Sequence, residues 1–88
     1  MSSPREAFDH AASLIRDITD PVAAYEAAAD LAGETAAFRR EAADLRSEMA
    51  ARVRDDGGLS ISQLGQRIGR GKPTAQKILR RTRKAGGQ

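Results

Sequence analysis

Cysteine and tryptophan are absent from these 88 residues, and histidine and tyrosine occur once each. The lack of cysteine excludes disulfides and thiolate metal sites. With His10 alone there is no second histidine for a metal site or a catalytic triad, and no glycine loop has the spacing of a P-loop. His10 is therefore given no role, and neither catalysis nor a cofactor is expected. Long apolar runs are missing too: none approaches the roughly 20 residues that span a bilayer. The stretch Met1-Ser2-Ser3-Pro4-Arg5-Glu6 has no apolar signal core, so the expectation is a cytoplasmic protein without a membrane partner. Aromatics are limited to Phe8, Tyr25 and Phe38. β-branched runs of strand length are also lacking.

One further absence is local. Residues 57–88 contain no acid but eight Lys or Arg, a net of +8, whereas residues 1–56 hold all twelve acids against seven Arg, a net of −5. Such a separation implies two jobs: the basic part wants a polyanion, and the acidic part more naturally meets protein. A chain this short buries only about 60% of the surface exposed when unfolded, so association with a second copy is the natural remedy for a small core.

Alanine is what the sequence has in abundance, and alanine favours helix. The chain reads as all-α. Ser3 can cap a first helix over Pro4–Ile18, with Phe8, Ala11, Ala12, Ile15 and Ile18 on one stripe. Asp20 caps a second from Pro21, lined by Val22, Tyr25, Ala28, Ala29 and Ala32. Gly33 offers a break or a kink before a longer helix from about Glu34 to Asp55. There Phe38, Ala42, Leu45, Met49 and Val53 recur at steps of four, three, four and four, a narrow seam of the kind that pairs helices. These five residues are the expected dimer interface, the alternative being intrachain core against the first helix. Asp55-Asp56-Gly57-Gly58 ends that helix. The chain thus divides into an acidic helical dimerisation or interaction region, 1–56, and a basic region, 57–88.

In the basic region, Ser60 followed three residues later by Gln63 is a capping box. Ile61, Leu64 and Ile68 face inward from the helix it opens, Gly69 permits a sharp turn, and Ala75, Ile78 and Leu79 return to the same core. Leu64, Gly65, Ile68, Gly69, Ala75 and Ile78 together resemble the helix-turn-helix of bacterial regulators, most closely that of region four of sigma factors. In that pattern Gly65 lies where the two helices cross, and Gly69 takes a positive φ without steric cost. Two positions depart from it: Arg70 stands where an apolar residue is usual, and Gly71-Lys72-Pro73 where Ser or Thr usually opens the second helix. The whole layout is similar to small actinobacterial helix-turn-helix proteins, in keeping with the Ala, Arg, Asp and Gly bias of a genome rich in G and C.

The resemblance implies that Lys72, Thr74, Gln76, Lys77 and Arg80 face double-stranded DNA, with Gln76 suited to adenine and the cations to guanine edges or phosphates. Arg67, Arg70, Arg81, Arg83 and Lys84 then act as phosphate clamps. The implied function is a transcription regulator or nucleoid-associated protein, working as a homodimer on half-sites about one DNA turn apart. Arg70-Gly71-Lys72-Pro73 also resembles the Arg-Gly-Arg-Pro core of an AT-hook, although apolar spacing on both sides favours a folded segment over a free arm. The alternative is an antitoxin-like or adaptor protein whose N-terminal helices bind a protein partner, with DNA binding for autoregulation. A membrane-surface helix at Ile78–Lys84 is disfavoured by its want of a bulky apolar face.

Overall fold

Ser3 and Pro4 open the first helix as their chemistry requires: the Ser3 hydroxyl accepts from the Glu6 N–H at 3.1 Å, and Pro4 occupies a position whose N–H would have no partner. The computed structural model describes residues 3–85, and side chains over residues 3–81. Those residues form five helices and no strand: α1 (Pro4–Arg16), α2 (Pro21–Glu34), α3 (Arg39–Gly57), α4 (Ile61–Ile68) and α5 (Lys72–Ala85). No helix among them is long and apolar enough to cross a membrane.

Three boundaries differ from the sequence reading. α1 stops at Arg16, and Ile18 packs against the core from the turn that follows. α2 starts at Pro21 with Asp20 capping the Val22 N–H at 3.3 Å, but it runs through Gly33, which keeps ordinary helical conformation. The break falls at residues 35–38 instead. Thr35 turns extended (φ −103°, ψ 133°), and its hydroxyl accepts from the Phe38 N–H at 3.5 Å, which closes the turn before α3. A side chain that bonds its own backbone competes with the helix more effectively than a lone glycine does.

α2 and α3 form an antiparallel hairpin. The four-residue connection allows nothing else, and Arg52 near the end of α3 donates to the Thr19 carbonyl, just before α2, at 2.8 Å. α1 runs alongside α3 in the same direction. Arg5 pairs with Glu41, Arg16 with Glu48 at 3.0 and 3.1 Å, and the Phe8 and Phe38 rings lie 5.0 Å apart with the Arg5 guanidinium over Phe38. The hydrogen bonds to Glu48 raise the Arg16 pKa above its ordinary value, against a smaller lowering by burial. A raised cation stays charged throughout the neutral range, so salt rather than neutral-range pH loosens this tie.

The expected dimer seam is corrected by its burial. Ala42, Leu45, Met49 and Val53 are 0%, 2%, 3% and 3% exposed within the single chain, and Phe38 is covered in part by Phe8. A stripe closed over by its own chain's helices has no face left for a second copy. Leu14 is the large apolar side chain left exposed among the described residues. The charge boundary at 56/57 is not a boundary of the core either. Leu64, Ala75 and Ile78 from the basic region join Tyr25, Ala28, Leu45 and Ala50 in one continuous cluster.

Candidate nucleic-acid interface

Local chemistry builds the basic end from the Asp55–Gly58 corner onward. Gly58 takes the left-handed conformation (φ +60°), which lets the Leu59 N–H reach back to the Arg54 carbonyl at 3.0 Å. Arg54 Nε then donates to the Leu59 carbonyl at 3.1 Å and fixes the exit of the chain. The capping box closes as the sequence indicates, Ser60 Oγ accepting from the Gln63 N–H at 3.2 Å and Gln63 Oε1 from the Ser60 N–H at 2.9 Å. α4 ends at Gly69 with φ +73°, the conformation expected of it. The Arg70 N–H returns to the Gly65 carbonyl at 2.7 Å, and the Gly71 carbonyl accepts from Ala75 at 3.0 Å as the first bond of α5. Gly71 is thus the cap position, with Lys72 and Pro73 in the first turn.

Gly65 is constrained by a different neighbour from the one the sequence pointed to. A Cβ there would lie 2.6 Å from the Arg70 carbonyl oxygen, so the turn backbone, rather than α5, forbids a side chain. Gly65→Ala is expected to destabilise by about 1–3 kcal/mol, the cost of overpacking a site that backbone cannot vacate. Gly33→Ala, with nothing within 4 Å of the new methyl, is expected to gain up to about 1 kcal/mol of helix propensity. Urea melts of both variants compare them directly; equal shifts would remove the special role of Gly65.

α5 packs against α3 and turns Ala75, Ile78 and Leu79 inward, leaving Lys72, Pro73, Thr74, Gln76, Lys77 and Arg80 exposed. Arg67 on α4 and Arg70 in the turn are exposed as well. Arg67, Arg70, Lys72, Lys77 and Arg80 have no carboxylate partner among the described residues, and neither have Arg39, Arg40 and Arg46 of α3. Arg5, Arg16 and Arg81 are ion-paired, and Arg52 and Arg54 bond backbone carbonyls. Five cations without a carboxylate partner on α4, the turn and α5, a segment with no acid in its sequence, favour an extended anion.

Arg81 is corrected by the same comparison. It does not project freely as a clamp; its Nε donates to Asp44 on α3 at 2.9 Å and its Nη2 to the Arg40 carbonyl at 3.5 Å, tying α5 to α3. Arg83 and Lys84 continue the backbone of α5, but their side chains lie outside the described residues.

Compared with known proteins, the chain matches no protein family, no curated protein and no solved structure.

Two arginines of α3 escaped the sequence reading because they sit in the acidic half. Arg46 lies beside Thr74, Lys77, Ile78 and Arg81 on one flank of α5, and Arg54 lies beside Ile61, Gln76, Leu79 and Arg80 on the other. Their signal was available: they stand one turn either side of Ala50, which is fully buried. The net charge of a segment hides which face its cations occupy.

Proposed function

We propose that this chain binds double-stranded DNA, with α4, the turn Gly69-Arg70-Gly71 and α5 acting as a helix-turn-helix that sets the exposed face of α5 in the major groove. The observation that carries this reading is the distribution of charge: Arg67, Arg70, Lys72, Lys77 and Arg80 are exposed without a carboxylate partner among the described residues, on a segment whose sequence holds no acid. A helix about 10–12 Å across fits a major groove about 12 Å wide, and α5 presents both kinds of contact such a helix needs. Gln76 and Thr74 can hydrogen-bond base edges. Lys72, Lys77 and Arg80 can meet guanine or phosphate, and Arg67 and Arg70 phosphate. The biological role is that of a transcription regulator or nucleoid-associated protein of the cytoplasm. With the Phe38–Val53 seam inside the chain, the proposal rests on one such unit per chain and needs no second copy.

Fluorescence anisotropy on a random duplex and a selected pool, at two salt concentrations, tests it. The expected result is a steep salt slope, log K falling by about 0.9 for each phosphate contacted per decade of salt. A preference of roughly a thousandfold for one sequence then marks a regulator, and a weak preference a nucleoid binder. No duplex binding at low salt overturns the proposal.

A further inference from the structure

The groove between α3 and α5 is lined by Arg46, Thr74, Lys77, Ile78 and Arg81. Two of its cations, Arg46 and Lys77, have no carboxylate partner among the described residues, and the third, Arg81, is already neutralised by Asp44 at 2.9 Å. Asp44 is therefore not free to repel an anion. Arg46 is half-buried, and its Nε lies out of solvent contact with no hydrogen-bond acceptor. A buried guanidinium donor without a partner is costly, and Arg46 lines the groove beside a lysine and a threonine hydroxyl. The planar guanidinium fork matches two oxygens of a tetrahedral phosphate, the ammonium adds a point charge, and the hydroxyl adds a third donor.

We infer that this groove takes a phosphodiester of the DNA backbone, so that α3 contributes Arg46 to binding from outside the two-helix unit. The inference rests on the DNA-binding reading above and extends it. When a helix nearly fills the major groove, the two sugar-phosphate strands pass along its flanks. The Arg46 groove is on one flank of α5, where one strand would run. The acidic region would then be more than a protein-facing body, since its longest helix supplies a phosphate contact.

Salt titrations of duplex affinity with the full chain test this. Arg46→Gln is expected to lower the slope of log K against log salt by about 0.9 and to weaken binding about fivefold at physiological salt. Arg46→Lys, which keeps the charge, is expected to restore the slope. Thr74→Val, at an exposed position that cannot disturb the core, is expected to weaken binding severalfold, to the same extent on random and selected duplex as a phosphate contact requires and a base contact does not, without changing the slope. Wild-type binding with an unaltered slope for Arg46→Gln, or with unaltered affinity for Thr74→Val, overturns this inference and leaves the DNA-binding reading standing. A wild type that ignores duplex DNA overturns both.

Discussion

Leu64→Ala is expected to lower stability by about 2–5 kcal/mol, the range for emptying a buried leucine site. Leu64 is fully buried on α4, and α4 packs on α5, α3 and α2. The cavity would open where the basic end meets the rest of the core, and a domain of this size has only roughly 0.05–0.15 kcal/mol per residue in reserve. Tyr25 makes the result more informative. It is the only tyrosine, it is 2% exposed, and it sits on α2, in the acidic half of the chain. If one core serves the whole chain, the Tyr25 fluorescence transition and the far-UV circular dichroism transition move together to lower urea. A Tyr25 transition that keeps its wild-type midpoint while part of the helical signal melts early would mean two separate folding units, divided near residue 57.

The second large effect is on binding. The double substitution Lys77→Gln and Arg80→Gln removes one exposed cation from each flank of α5, beside Arg46 and Arg54 respectively. Neither side chain is part of the core, so stability should stay within about 0.5 kcal/mol of wild type. Duplex affinity at about 0.15 M salt should fall about 30-fold, since losing two phosphate contacts removes about 1.8 from the salt slope. Anisotropy titrations across a range of salt give both quantities. Unchanged affinity and slope would remove the exposed face of α5 from the contact surface. Arg81 makes an instructive contrast: its guanidinium is held by Asp44 in a pair whose two side chains are each about two-fifths exposed, 40% and 41%. Such a pair positions α5 more than it stabilises the chain.

The features legible in the sequence share one property: each depends on residues within a few positions of one another. Ser3, Asp20 and the Ser60–Gln63 box cap helices where they stand. Gly58 and Gly69 adopt the positive φ that their places after α3 and α4 demand. The inward residues Leu64, Ala75 and Ile78 were found by spacing alone, because a helix converts spacing into a face. The error at Gly33 was local too. A glycine only weakens a helix, whereas the Thr35 hydroxyl offers the backbone another bond.

What the sequence by itself determined was therefore the all-α class, most helix ends, the turn at Gly69 and the acid-free charge of the last third. The tertiary structure decided which partner each face and each charge would find. It turned the Phe38–Val53 stripe toward the chain's own helices, because an amphipathic face carries no mark of whether its cover is intrachain or a second copy. It set Arg81 against Asp44, 37 positions away, and brought Arg46 from the acidic half to the side of Thr74 and Lys77. Pairings over such separations depend on how α5 lies across α3, and that packing is settled by the shape of the shared core rather than by any local pattern of residues.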